Sequence, residues 1–212
     1  MNIRQVGDNA VVLSVSYDST AQCVAEIRRI YNSVLSQQLP GLISIRPGLD
    51  SLMLEFESQF NMDSIAMTED AVKHEPQTIS VPVCYELGTD LDEICARTNL
   101  THAQAIELHA SKVYSVWMIG FMPGFPYMGE LPQQLQLPRK ARPAQNVPAG
   151  SVAIAEEFVG IYPFDSPGGW HIIGQTPMNL IDYTRETTSL FEYGMNVRFY
   201  RISEKEYEGA TR

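Results

Sequence analysis

Apolar residues along this chain follow two rhythms, and the change between them divides it near residue 76. Val11, Leu13 and Val15 alternate with their neighbours, as do Leu52, Leu54 and Phe56, and a period of two predicts half-buried strands. Between them Val24, Ile27, Tyr31, Val34 and Leu35 recur at helical spacing, with Ser19 or Thr20 as the cap and Pro40-Gly41 as the stop. Ile43 and Ile45 predict a further strand, turned by Pro47-Gly48, and a weaker helix is expected over 63–73. The expected order over 1–76 is strand, strand, helix, strand, strand, helix: a small α+β domain without recognisable chemistry.

The polar segment 73–77 reads as a linker, followed by a strand from Thr78. Two short helices come next, announced by Thr89-x-x-Asp92, which resembles a capping box, and by Thr101-x-x-Gln104, which fits that pattern directly. Beyond Val113 the pattern becomes short strands between Gly/Pro turns, at Val113–Ile119, Ser151–Ala155, 158–162, 170–173, 178–181 and 196–202. Such spacing predicts a barrel or sandwich for 77–212.

Charge and composition narrow the function classes. With 15 Lys and Arg against 25 Asp and Glu, the net charge is −10. Nucleic-acid binding needs clustered basic residues, and Arg139-Lys140-x-Arg142 is long enough to meet one small anion and no more. No stretch approaches the roughly 20 apolar residues that cross a bilayer. Arg4, Asp8 and Asn9 interrupt the place where a signal-peptide core would stand. Cys23, Cys84 and Cys95 are odd in number and lack metal-ligand spacing, so they read as reduced residues of a cytoplasmic protein.

Candidate chemistry concentrates where Gly and Pro are densest. The blocks are Gly120 to Gly129, Val147 to Ile154 and Gly160 to Gly174. Turns of a compact β-domain would explain their Gly and Pro, but not the interleaved Phe125, Tyr127, Tyr162, Phe164 and Trp170, which suggest a lined cleft. Asp165-Ser166-Pro167-Gly168-Gly169 offers a carboxylate, a hydroxyl and backbone donors for an oxygen-rich ligand or phosphate; it could equally be a turn that satisfies only itself. Arg139, Lys140 and Arg142 could pair with a carboxylate or phosphate or stand as solvated surface charge, and for Lys140 the second reading is preferred. No phosphate loop, dinucleotide turn or nucleophile elbow is present. His102 and His109 lie two helical turns apart, too far to share a metal unaided, so no metal site is expected. His171, alone on an apolar strand, reads as structural.

These blocks carry a resemblance. Gly120-Phe121-x-Pro123-Gly124-Phe125-Pro126-Tyr127-x-Gly129, Pro138-Arg139-Lys140, Val147-Pro148-Ala149-Gly150-Ser151-Val152-x-Ile154, Gly160-Ile161-Tyr162-Pro163 and Ser166-Pro167-Gly168-Gly169-Trp170-x-Ile172-Ile173-Gly174-x-Thr176-Pro177 together resemble the B subunit of bacterial 5-oxoprolinase. That family is also called KipI, or allophanate hydrolase subunit one; Gly7-Asp8-x-Ala10-Val11 extends the likeness to the N-terminus. The resemblance implies that a cyclophilin-like β-barrel follows the α+β domain. It implies a non-autonomous subunit of an ATP-dependent 5-oxoprolinase, a hydrolase that opens 5-oxo-L-proline to L-glutamate with a homologous C subunit and an A subunit. Phosphorylating the oxygen of an unstrained lactam would make its carbon attackable, a task of charge stabilisation and positioning. Relatives also include an inhibitor of a sporulation histidine kinase and part of urea carboxylase. The alternatives are therefore a kinase inhibitor or an accessory subunit of an amide-processing enzyme.

The chain departs from the family pattern at Pro143-Ala144, where Pro-Arg is usual, at Phe158-Val159 for Gln-Thr, at His171 for Gln, and at Gln175 for Arg or His. Those exchanges remove anion-binding groups. The cleft expected to bind substrate or nucleotide comprises Phe125, Tyr127, Arg139, Tyr162, Ser166, Gly168, Gly169 and Trp170.

Overall fold

The structure, a computed structural model, describes residues 1–59, 65 and 76–210 and divides into two units, Met1–Glu75 and Pro76–Arg212. The first unit contains strands β1 (Asn2–Val6), β2 (Ala10–Ser14), β3 (Leu42–Pro47) and β4 (Ser51–Phe56), paired antiparallel in the order β1-β2-β4-β3. Helix α1 (Thr20–Gln37) begins where the Ser19 hydroxyl accepts the Gln22 N–H at 3.3 Å. It buries Cys23, Val24, Ile27, Ile30 and Val34, and its core cluster joins Leu13, Leu52, Leu54 and Phe56 of the sheet.

Two expectations fail here for geometric reasons. Leu35 is 41% exposed, because one residue beyond Val34 turns the side chain about 100° off the buried stripe. Ile43 is exposed while Ile45 packs on the core, because the register shifts between Leu42 and Ser44 and breaks the two-residue alternation. The helix stops at Gln38, whose left-handed backbone (φ 48°) acts before Pro40-Gly41 is reached. The helix expected over 63–73 lies, Ile65 apart, outside the described residues, as do residues 73–75 of the linker.

In the second unit β5 (Thr78–Val83) leads to α2 (Leu91–Thr98) and α3 (His102–Ala110), followed by β6 (Val113–Ile119) and β7 (Pro126–Gly129). Then come β8 (Ala144–Val147), β9 (Ser151–Ala155), β10 (Phe158–Ile161), β11 (Ser166–Gly168), β12 (His171–Gln175), β13 (Asn196–Arg201) and α4 (Glu204–Ala210). Seven strands form one sheet in the order β12-β9-β10-β7-β6-β13-β5, with β13 and β5 parallel. Just past β5, Cys84 exchanges two backbone hydrogen bonds with Gln175 of β12, at 2.8 and 3.0 Å. The two edges of the sheet thereby meet, and the unit is a nearly closed barrel. Tyr85, Tyr114, Val116, Met128, Ile154, Val159, Ile173 and Phe199 belong to its core.

Thr101 and Gln104 form the full capping box of α3. At α2 the box fails: Asp90, not Thr89, is the N-cap, and its carboxylate makes no cap bond because it is engaged elsewhere in the fold. Segment 178–181 is not a strand. The Asn179 side chain takes the Ile181 N–H at 3.3 Å, an Asx turn, and a single bridge joins Ile181 to Ser189.

His109 is buried in this core, 2.8 Å from the Tyr85 hydroxyl through Nδ1 and 4.6 Å from the Phe199 ring centre. Desolvation lowers its pKa from 6.5 to about 3. Folded His109 thus stays neutral to about pH 3, while the unfolded chain binds a proton below about 6.5. Its contribution is complete above pH 6.5 and lost as pH falls, by about 1.4 kcal/mol per unit. Urea titrations at pH 7 and 5 are expected to differ by about 2 kcal/mol from this group. His109→Phe should flatten that dependence, whatever its effect at pH 7.

Candidate functional site

Phe125 is the hub of an aromatic wall. Its ring meets Phe121 at 5.5 Å, Tyr127 at 5.1 Å, Tyr162 at 5.2 Å and Trp170 at 5.4 Å, each edge to face. Such pairs add about 0.5–1.5 kcal/mol each beyond area burial. Phe125, Tyr162 and Trp170 are buried, whereas Phe121 is 63% exposed with a left-handed backbone (φ 67°) that a bulky residue rarely adopts. The apolar run from Phe121 to Phe125 is therefore split between rim and core.

Two glycines make room for the wall. A Cβ on Gly160 would meet the Phe125 ring at 2.5 Å and Trp170 at 3.0 Å, and one on Gly168 would collide with the Tyr162 hydroxyl. The space left in front is a cavity of about 290 Å³. Phe125, Tyr127, Arg139, Tyr162, Gly168, Gly169 and Trp170 all line it, joined by Phe121 and Lys140.

Ser166 stands outside the lining, with its hydroxyl buried and unpartnered. The segment around it is not a tight turn: Ser166–Gly168 is strand β11, paired with β8. The Asp165 carboxylate accepts the Ala149 N–H at 2.8 Å, which commits it to the neighbouring turn. His171 is buried, with Nε2 3.0 Å from the Pro138 carbonyl, a structural placement.

The cations differ sharply. Arg139 approaches Glu156 at 3.7 Å with both side chains more than half exposed, a contact worth little. Lys140, expected as solvated charge, is instead largely buried and bonded to Asp90 at 2.7 and 2.9 Å. Burial pushes the Tyr127 and Tyr162 phenols up. The Arg139 charge opposes this weakly at both, as does the Trp170 backbone at Tyr162, so both phenols keep their protons at physiological pH. Phe121 and Lys140 were legible as parts of the Gly/Pro and basic blocks; Asp90 carried no signal, since it sits in an ordinary helix-start pattern. Among the described residues, no three His, Cys, Asp or Glu side chains gather where they could hold a metal, and no helix is long and apolar enough to cross a membrane.

Comparison with known proteins follows the same blocks. Residues 1–191 match the carboxyltransferase domain family, subdomain C and D. The 5-oxoprolinase B subunit of Escherichia coli O157:H7 is 36% identical over 211 residues, covering 95% of this chain and 95% of that protein. This chain belongs to the 5-oxoprolinase B-subunit family. The member from Bacillus subtilis (strain 168) is 31% identical, covering 97% of this chain and 94% of its own. Among solved structures, TTHA0988 matches with a TM-score of 0.80 and 31% identity over 92% of this chain. This chain spans 40% of the length of that protein.

Trp170→Ala is expected to cost about 3–5 kcal/mol by opening the wall, and Gly160→Ala about 1–3 kcal/mol by overpacking it. Arg139→Ala should stay within about 0.5 kcal/mol of the parent, because its side chain is exposed. Urea denaturation of the three variants checks the ranking.

Proposed function

We propose that this chain is the B subunit of an ATP-dependent 5-oxoprolinase, which opens 5-oxo-L-proline to L-glutamate with a homologous C subunit and an A subunit. The observation that carries this reading is the end-to-end match to the 5-oxoprolinase B subunit at 36% identity. The aromatic cavity, built from the blocks on which the resemblance rests, supplies the place for a ligand. In this reading the second unit is a cyclophilin-like barrel and each unit a domain of its own.

Size and charge favour the small substrate over the nucleotide in this cavity. About 290 Å³ is room for about ten water molecules, the scale of a lactam with one carboxylate. A nucleoside triphosphate is several times larger and carries several negative charges. The two cations of the lining are Arg139 and Lys140, and Asp90 already neutralises the second. Residues present do not fit the nucleotide, which on this reading binds elsewhere in the complex. Arg139 would pair with the carboxylate, and the half-buried, neutral Tyr127 phenol would offer a hydrogen bond to a carbonyl. That TTHA0988 carries the matching unit within a longer chain supports a part that works attached to others. A histidine-kinase inhibitor has less support: the run from Phe121 to Phe125, which would serve it as an exposed apolar docking surface, has Phe125 buried.

The purified chain alone is expected to give no turnover of 5-oxoproline with ATP, and the reconstituted complex to give it. Within the complex, Arg139→Ala should raise KM for 5-oxoproline about 10- to 100-fold, the loss of a charge-assisted hydrogen bond. Robust turnover by the single chain, or an unchanged KM in the variant complex, would overturn this reading.

A further inference from the structure

The segment that carries Arg139 is tied down on every side. The Leu137 carbonyl accepts the Glu156 N–H at 2.6 Å, and the Pro138 carbonyl lies 3.0 Å from His171 Nε2. The Lys140 N–H donates to the Gly169 carbonyl at 2.7 Å, and its ammonium reaches both oxygens of Asp90. Asp90 is itself fixed on β12: its N–H donates to the Ile172 carbonyl at 3.0 Å, and its Oδ2 accepts the Ile172 N–H at 2.7 Å. In the midst of these ties the Arg139 side chain is 57% exposed, and among the described residues its ion-pair partner is Glu156, at 3.7 Å.

The Lys140 and Asp90 side chains are 19% and 11% exposed, so the pair forms where both ions have shed most of their water. Such a pair is weak evidence for stability, because desolvation offsets much of the attraction. What it does supply is geometry: it joins a loop to the helix start that lies fifty residues before it in the chain and, through Asp90, to a barrel strand that lies after it. We propose that Asp90, Lys140 and His171 are positioning residues, which clamp the backbone of segment 137–140 and so fix the point from which the Arg139 side chain reaches the cavity before the ligand arrives. The proposal rests on the reading of the cavity as the 5-oxoproline site. Fixing that point in advance reduces the ordering cost of binding.

The test uses the reconstituted complex and the double variant Asp90→Asn/Lys140→Met. Neither ion is left buried alone, and the Asn oxygen can still accept the Ile172 N–H. KM for 5-oxoproline should rise about tenfold, while kcat and KM for ATP stay within experimental error. Lys140→Arg, which keeps the charge pair, should raise KM for 5-oxoproline less than the double variant does. A merely structural role would lower the melting temperature and the active fraction without moving KM for one substrate alone. A folded double variant with normal KM overturns the clamp if Arg139→Ala still raises KM, and leaves the cavity reading intact. Normal KM in Arg139→Ala overturns both. Should the double variant not fold, His171→Phe, which cuts the Pro138 tie alone, decides by the same selective rise in KM.

Discussion

The site depends on one steric arrangement: the Phe125 ring lies where a side chain on Gly160 would have to go. Strand β10 is buried along its whole length, and at Gly160 it offers bare backbone to the ring. That lets Phe125 lie within edge-to-face distance of Tyr127, Tyr162 and Trp170 at once. The same device recurs at Gly168 beneath the Tyr162 hydroxyl. The cavity keeps its shape because its walls are a close-packed aromatic cluster, in which a change in one ring is felt by the others.

On this rigid apolar wall the polar groups are few, and they divide into fixed and available. Asp90, Lys140, His171 and Asp165 have their bonds inside the protein. Among the described residues Arg139 makes one long ion-pair approach, to Glu156, and the half-buried Tyr127 phenol keeps its own proton to donate. Selectivity in such a site comes from where the few free groups stand more than from how many there are.

Much of the fold could be read from residue patterns, and the failures have identifiable causes. Strands β6 and β9 coincide with apolar runs that no Gly or Pro interrupts. Strands β7, β8 and β11 escaped because Pro and Gly, taken as turn signals, sit inside or beside them; each pairs over few residues. Local patterns also mislead when a side chain has a distant use. Thr101 caps its helix as its spacing predicts, whereas Asp90 gives up capping for Lys140 and Ile172, partners that no window of neighbouring residues contains. The aromatic lining was legible because turns stiffened by Gly and Pro have no need of Phe, Tyr and Trp unless those rings pack together or face a ligand. Ser166 misled, since a hydroxyl beside Pro-Gly-Gly looks like a ligand group, yet strand pairing buries it.

The parallel pairing of β5 with β13 sets a temporal constraint on this protein. Thr78 stands opposite Asn196 and Val83 opposite Arg201, so the first strand of the barrel waits for the last. During synthesis the first unit can complete its four-stranded sheet from neighbouring segments, while the second holds an unfinished sheet with two open edges until Arg201 has left the ribosome. Non-local pairing of this kind folds slowly, and open strand edges invite other chains. Expression yield, more than equilibrium stability, is where changes near the C-terminus of this barrel will first be felt.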